Sequence, residues 1–330
     1  MIKFTVKSLV IISLFSTFIL AIEVPKYNGY ENITYNNSKN VILGGATTAT
    51  AKGYSALSSN PAGLSTNYNA TVYLKTIVGS ATVIYQNTEN KYDIDAGEHI
   101  AIGVLYDSFA VEYKNGNYLS AGGAYGYEHQ YGLFSIGASY TLDQTDLNGN
   151  DIEKGNKIDK IASATGNYLT WGVMWQKTFI DEDDFYAIYV GYSYKNSGRA
   201  DAIKDSNIVF TSPSKRKMGI GLETNLFDTS VLLTYDIVNE FWQTSKVRED
   251  MSGTAYGVKW MVGHKFSIGT GIYNQTYNNS KLQDSKTTSV GIEWGFLGMH
   301  LMPSFTKRVT NYDVGSFEDE AIHLDLAFTF

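Results

Sequence analysis

The last ten residues of the chain, Ala321 to Phe330, read AIHLDLAFTF. Large apolar residues occupy every second position, and the residues between them are polar or small. Side chains of a β-strand point alternately to its two faces, so this period of two predicts a strand with one continuous apolar face. The apolar positions are Ile322, Leu324, Leu326, Phe328 and Phe330; the others are His323, Asp325, Ala327 and Thr329.

The same alternation recurs in segments of about ten residues from about Thr71 to the end of the chain. This recurrence is typical of a transmembrane antiparallel β-barrel, an all-β fold in which one face of each strand meets lipid and the other faces the lumen. The abundance of tyrosine (25 residues) and glycine (31) suits such strands. The clearest segments are 100–106, 134–140, 169–175, 186–194, 231–235, 256–262 and 290–294.

The composition of the second face of each strand distinguishes a membrane barrel from a soluble sandwich. In a sandwich, that face would be richly charged because it meets water. Here that face carries mostly Gly, Ser, Ala and Thr, which favours a narrow lumen, although a sandwich can also carry small residues. A few isolated ionisable residues could line a pathway, or could instead hydrogen-bond a plug, because buried charges need partners. They are Glu223, Asp236, Lys259, Glu293, His323 and Asp325.

About fifteen segments alternate, whereas single-chain bacterial barrels have an even number of strands. Merging the two segments that meet at Gly79 and Ser80 into one long strand gives fourteen. Pro303 lies in the penultimate strand, where its missing N–H predicts a bulge or a break. Long polar connections are predicted at 88–97, 143–166, 195–215, 239–253, 277–286 and 307–320, and short turns near Asp107, His129, 180–184, 225–228, 263–265 and Gly295. The long connections should face the outside of the cell.

Residues 1–21 are predicted to be a secretory signal peptide, because Lys3 and Lys7 precede a short apolar run that ends at Ala21. Residues 70–330 then form the barrel, and residues 22–69 form a plug inside it. The chain contains no cysteine, so neither a disulfide nor a lipidated cysteine is expected. Export and a barrel together predict the outer membrane of a Gram-negative bacterium.

No pattern of a catalytic or metal site stands out, so we expect neither an enzyme nor a cofactor. The five histidines lack ligand spacing. The acidic run 143–151 resembles a calcium loop but lacks its glycine and final glutamate, which predicts a solvated loop instead. An acidic chain also argues against a nucleic-acid partner. Trp171, Trp242 and Trp294 are expected to anchor strand ends at the membrane interface.

The stretch GGATTATAKGYSALSSNPAGLS, Gly44 to Ser65, resembles the N-terminal hatch of the FadL-type long-chain fatty-acid transporter family. In that family an Asn-Pro-Ala turn, here Asn60, Pro61 and Ala62, precedes the first strand. The resemblance implies a fourteen-stranded barrel closed by the hatch. It also implies passive uptake of small hydrophobic molecules such as fatty acids or hydrocarbons. The chain is shorter than the well-known transporters, and none of their pocket residues can be matched to it.

The resemblance further implies contact with outer-membrane lipid and lipopolysaccharide. The C-terminal strand, with Phe328 and Phe330, is similar to the signal that the outer-membrane barrel assembly machinery recognises. Two other functions stay open at this point: a non-transporting barrel that acts as a scaffold in secretion or conjugation, and a general porin or surface adhesin.

Overall fold

The computed structural model describes residues 37–67, 69–85, 88–94, 100–114, 118–150, 157–181, 184–196, 214–226, 229–243, 248–263, 265–277, 282–312 and 315–330. The predicted signal peptide, residues 1–21, and the first part of the predicted plug lie outside these ranges. The domain boundaries therefore stay predictions.

Three short helices precede the strands: α1 (Ser38–Ile42) and the 3-10 helices η1 (Gly53–Leu57) and η2 (Pro61–Thr66). None of the helices in the described ranges has the length and apolar character that crossing a bilayer requires. The strands are β1 (Thr71–Tyr85), β2 (Thr88–Ile94), β3 (Ala101–Tyr106), β4 (Phe109–Lys114), β5 (Tyr118–His129), β6 (Gly132–Asn150), β7 (Lys157–Asp181), β8 (Asp184–Lys195), β9 (Ser214–Leu226), β10 (Thr229–Gln243), β11 (Arg248–Val262), β12 (Phe266–Tyr277), β13 (Leu282–Phe296), β14 (Met299–Tyr312) and β15 (Gly315–Thr329).

The strands form one antiparallel sheet that closes on itself, because β1 pairs with β15 from Thr71↔Thr329 to Tyr85↔Gly315. The strand β1 runs unbroken through Gly79 and Ser80, which confirms the predicted merger. On its other side β1 pairs with both β2 and β3, one above the other, so these two strands share one position in the wall. The fold is therefore a closed barrel of fourteen positions, as predicted, and a soluble sandwich is ruled out.

The outer face of the wall is apolar and the inner face is small or polar. Ile136, Ile220 and Ile322 lie on the outer face and are 57%, 55% and 56% exposed. Their neighbours along each strand point inward and are buried, as with Ser135 and His323. Trp171 and Trp294 also face outward, whereas the side chain of Trp242 lies outside the described part of the structure. An exposed apolar belt on a closed sheet is what a lipid environment requires.

The six short turns are confirmed, with two or three residues between the paired strands at each. The turn predicted near Gly295 lies slightly later, at Leu297 and Gly298. Both residues have positive φ, 48° and 82°, which is the conformation of the two-residue hairpin turn that matches strand twist.

Most of the predicted long connections are wrong, because the strands continue into them. For example, β10 extends to Gln243 and β11 begins at Arg248, and β14 extends to Tyr312 before β15 begins at Gly315. The acidic run that starts at Asp143 belongs largely to β6, not to a loop; the side chains of that run lie outside the description. Backbone N–H and C=O groups pair whatever side chains they carry, so polar sequence does not end a hairpin. The prediction for 195–215 falls mostly on residues 197–213, which lie outside the described ranges.

Pro303 produces a local break and no bulge. Its strand β14 keeps an uninterrupted register with β15, including the pair Pro303↔Leu324. On the other side, the described ladder with β13 lacks pairs between Gly291↔Ser304 and Trp294↔Leu301. The register is the same before and after this gap. A proline removes one donor, and the wall tolerates that loss on one side of the strand.

Candidate functional site: the plug and the wall around it

Residues 37–67 lie inside the barrel and are here called the plug. The Asn37 side chain accepts the N–H of Asn40 at 2.8 Å and begins α1. Asn60 caps η2, with Pro61 at the first helical position, where the fixed φ of proline suits a helix start. Ala56, Ala62 and Leu64 have no exposed surface.

The predicted hatch motif lies where the plug meets the wall. Asn60 Nδ2 donates to Thr48 O at 2.7 Å within the plug and to Val173 O of β7 at 3.2 Å. Its Oδ1 accepts the N–H of Ala62 at 3.2 Å. One buried amide thus joins two plug segments to the barrel, and its bond to Val173 would break if the plug moved.

Wall glycines let the plug lie directly against the barrel. A Cβ on Gly172 of β7 would overlap Asn60 Oδ1 and lie 2.8 Å from Asn60 Cγ. A Cβ on Gly137 of β6 would lie 2.5 Å from the Pro61 carbonyl carbon. Both distances are below ordinary van der Waals contact, so only glycine fits at these positions.

Two wall aspartates hold the plug by hydrogen bonds. Asp236 of β10 accepts the backbone N–H and the hydroxyl of Thr48 at 2.9 and 2.6 Å. Asp325 of β15 accepts the same two groups of Ser38 at 2.9 and 3.0 Å, and the Tyr54 hydroxyl at 3.1 Å. Both aspartates are essentially fully buried. Of the two interpretations left open by the sequence, these contacts match hydrogen bonding to a plug.

The other four predicted lumen residues also lie on the inner face. Lys259 Nζ lies 2.5 Å from Glu293, and Lys39 of the plug lies 3.6 Å from the same carboxylate. Glu223 accepts the Tyr189 hydroxyl at 2.6 Å. His323 Nε2 lies 3.1 Å from Thr306 Oγ1. A transport role for these residues stays a prediction. Among the described residues no group of His, Asp and Glu is placed to hold a metal ion.

Sequence reasoning missed a cluster that joins the plug to β1. Tyr54 of the plug stacks on Tyr73 of β1, with ring centroids 4.4 Å apart. Lys75 Nζ lies 5.6 Å from the Tyr54 ring and 5.1 Å from the Tyr73 ring, and it forms a buried ion pair with Glu112 of β4. Burial, helped by the Asp325 carboxylate, raises the pKa of Tyr54, so its phenol stays a donor. The available signal was Lys75 itself, a lone charge inside the strand TVYLKTIV.

Tyr73 crosses the intervening strand β3 to reach Glu112. Its hydroxyl donates to Glu112 at 3.0 Å, and its ring occupies the space where a side chain at Gly103 of β3 would lie. Residues of β1 and β4, which are not neighbours in the sheet, are thereby connected over β3.

The ladder along β1 changes register beside this cluster. Gly79 pairs with Ile94 of β2, and Lys75 pairs with Ala101 of β3. Three residues of β1 lie between Lys75 and Gly79, whereas six residues of the chain lie between Ile94 and Ala101; the first five of those six lie outside the described ranges. A regular ladder would have equal numbers on both sides, so the register on this side of β1 shifts by three residues here.

The rest of the plug surface that meets β3, β4, β7, β14 and β15 is apolar. One cluster of buried side chains contains residues of the plug and of the wall together. Its larger members are Tyr54, Leu57, Leu64, Tyr73, Leu105, Met174 and Met302. Hydrophobic packing therefore stabilises η1 and η2 against this part of the wall.

The predicted assembly residues complete the barrel seam. Phe328 pairs with Val72 across β1 and β15, and the N–H of Phe330 donates to Ala70 O at 2.9 Å. The Phe330 side chain is 42% exposed on the outer face. Recognition by an assembly machinery stays a prediction.

Comparisons with known proteins find likeness in structure. No protein-family model matches the chain, and no curated protein sequence matches it. The CymD monoaromatic hydrocarbon channel covers 91% of this chain and aligns over 99% of its own, with a TM-score of 0.53 and 11% identity. The TodX monoaromatic hydrocarbon channel, as its deltaS2 mutant, gives the same coverage and identity with a TM-score of 0.51.

A Pseudomonas aeruginosa FadL homologue also aligns, over 93% of this chain and 98% of its own, with a TM-score of 0.47 and 10% identity. At these identities the likeness to CymD and TodX concerns the fold. At that level of fold the likeness confirms the family resemblance predicted from Gly44 to Ser65. The chain has the closed fourteen-position barrel fold of the FadL-type channels.

Proposed function

We propose that this protein is an outer-membrane channel for the passive uptake of small hydrophobic molecules, such as fatty acids or hydrocarbons. Two neighbours in fold, CymD and TodX, are monoaromatic hydrocarbon channels. Lipopolysaccharide prevents apolar solutes from crossing the outer leaflet directly, so such solutes need a protein route. No cofactor and no catalytic step form part of this proposal.

The register shift in the wall is the observation that carries the proposal. It lies between Lys75 and Gly79 of β1, next to the point where Tyr54 of the plug stacks on Tyr73. A regular hydrogen-bonded wall offers a hydrophobic solute no lateral route, because each ladder bond would have to break. An irregular ladder beside the plug favours a lateral route into the lipid at this point.

The proposed sequence of events needs only binding and diffusion. A hydrophobic solute enters the lumen from outside and reaches the plug, whose Asn60 to Ala62 turn is completely buried. The plug shifts, and the solute leaves sideways past β1 into the outer leaflet. Favourable burial of apolar surface drives each step, so no energy source is required.

The proposed location is the outer membrane of a Gram-negative bacterium, reached through the predicted signal peptide. The apolar outer face of the barrel supports contact with membrane lipid, and lipopolysaccharide and the assembly machinery are proposed as further partners.

A disulfide that locks the plug would test the proposal. Ser65 of the plug and Ser135 of β6 have their hydroxyl oxygens 2.7 Å apart, and the chain contains no native cysteine. The variant Ser65→Cys/Ser135→Cys should therefore form one defined disulfide. We expect oxidation to abolish uptake of radiolabelled toluene and oleate by cells that lack their own transporters, and reduction to restore it.

The matched control places the disulfide within the wall. Ser120 of β5 and Thr141 of β6 also have hydroxyl oxygens close together, at 2.9 Å, but neither belongs to the plug. Oxidation of Ser120→Cys/Thr141→Cys should leave uptake unchanged. If the plug-locked protein transports as well when oxidised as when reduced, or if cells with and without the protein take up both solutes equally, the proposal is wrong.

A non-transporting scaffold barrel is the second candidate. The complete burial of Asn60 and Ala62 favours it, since a tightly held plug suits a barrel that never opens. The same burial disfavours a general porin at this level of the lumen, within the described residues. Absence of uptake in the assay above would leave the scaffold as the better interpretation.

A further inference from the structure

Asp325 is the point where two distant parts of the plug meet the barrel. Its carboxylate accepts three hydrogen bonds, two from Ser38 and one from Tyr54. It is 1% exposed, so water does not replace these donors while the plug is in place. The described hydrogen bonds of Asp325 therefore all come from the plug.

Lys75 is the direct cross-strand partner of Asp325 in the β1–β15 ladder. Both side chains point inward and are buried, with exposures of 5% and 1%. Residues directly opposite each other have Cβ atoms about 4.5–5.5 Å apart, a span that a lysine side chain easily covers. In the observed structure Lys75 instead pairs with Glu112, which also accepts the Tyr73 hydroxyl.

The cluster thus holds two buried carboxylates and one lysine. While the plug supplies its donors, Asp325 is satisfied and Lys75 neutralises Glu112. If Ser38 and Tyr54 moved away, Asp325 would lose all three of these hydrogen bonds, and a buried carboxylate without hydrogen bonds attracts a nearby cation more strongly. The nearest cation that could relieve it is the one directly opposite.

We infer that Lys75 shifts from Glu112 of β4 towards Asp325 of β15 when the plug is released, while Glu112 keeps the Tyr73 hydroxyl as a donor. The inference rests on the proposed function, in which the plug moves. It describes how movement of the plug changes the contacts between wall strands. Loss of the Lys75–Glu112 pair removes an ionic connection between β1 and β4. The intervening strand β3 has five described residue pairs with β1, Thr71–Lys75 with Ala101–Leu105, beside the register shift. Plug release therefore loosens the edge of the wall where solute would leave.

Amide hydrogen exchange of the full-length protein in detergent tests this directly. Ser38→Ala/Tyr54→Phe removes the side-chain donors to Asp325 and should accelerate exchange in β3 about tenfold, since each lost hydrogen bond shifts local opening severalfold. Adding Asp325→Asn to that variant should return β3 exchange toward the wild-type rate, because a neutral amide does not attract Lys75. Circular dichroism confirms that each variant is folded.

Thr310→Ala is the matched control. It removes a buried hydroxyl bond to Ser285 within the wall, between β14 and β13, and does not touch the plug or Asp325. Its β3 exchange should equal that of wild type. Equal β3 exchange in Ser38→Ala/Tyr54→Phe and wild type would overturn the inference, and so would a triple variant as fast as the double, since lost packing would then explain the effect. Exchange is measured without any solute, so failure of uptake and failure of this inference are separate results.

Discussion

Substituting Gly172 tests whether the plug is held by close contact with the wall. A Cβ at this position would overlap Asn60 Oδ1 and lie 2.8 Å from Asn60 Cγ, where ordinary contact begins at 3.4 Å. Asn60 cannot retreat easily, because its amide is bonded to Thr48 and Val173, and Pro61 rests on Gly137. Gly172→Ala should therefore displace the plug and leave the barrel closed.

The magnitude follows from two losses. Overpacking of a tightly packed site costs about 1–3 kcal/mol, and a lost hydrogen bond of Asn60 about 1 kcal/mol more. A total of about 2–4 kcal/mol raises the population of a displaced plug by roughly 30-fold or more, since about 1.4 kcal/mol is tenfold.

Thiol labelling provides the assay, because the chain has no cysteine of its own. Ser65→Cys places a reporter on the plug at a site that is 4% exposed, and maleimide should react with it slowly. Gly172→Ala should accelerate that reaction roughly 30-fold or more. Gly123→Ala is the control, since its added Cβ would meet only Phe109 and Ser108 atoms at 3.6 Å. Equal labelling rates in the Gly172 and Gly123 variants would refute the reasoning.

Three further outcomes are expected. Thr48→Val removes the hydroxyl that donates to Asp236 and should weaken plug attachment by about 1.5–3 kcal/mol, seen as faster labelling of the same thiol, whereas Thr48→Ser should behave like wild type. Val258→Arg puts a charge on the lipid-facing side and should lower the free energy of unfolding in bilayers by about 2–4 kcal/mol in a urea titration; Lys259→Arg, on the inner face, should not. Phe330→Ala should reduce the amount of folded barrel in isolated outer membranes without changing refolding in detergent; equal amounts would contradict the assembly role.

The barrel itself could be predicted from sequence because its strongest signal is local. Alternation along a strand such as β15 depends only on which face meets lipid, and a single strand displays it completely. The same locality explains the error in the connections. Outside the lipid, a strand needs no apolar face, so the sequence of β10 beyond Asn239 resembles that of a loop. The backbone ladder nevertheless continues to Gln243.

The plug contacts could be predicted only in part. The inward charges Asp236 and Asp325 stand out against small neighbours, so their position could be predicted from the sequence. Their partners, Thr48 and Ser38, are ordinary residues 188 and 287 positions away, and nothing local distinguishes them. Gly172 illustrates the same limit: alternation shows that it faces inward, but only the folded chain shows that Asn60 occupies its missing side chain.

The two ways in which the plug is attached bear on what could release it. Polar attachments, such as Thr48 to Asp236, contribute little net free energy once water can reach them, because water replaces each bond. Apolar attachments, such as Leu57 and Leu64 against Leu105, are replaced at no cost only by another apolar molecule. A hydrophobic solute therefore competes with the η1 and η2 side of the plug, and a hydrophilic one does not. Under the proposed function, selectivity for apolar cargo then arises from plug release itself, even without a dedicated binding pocket.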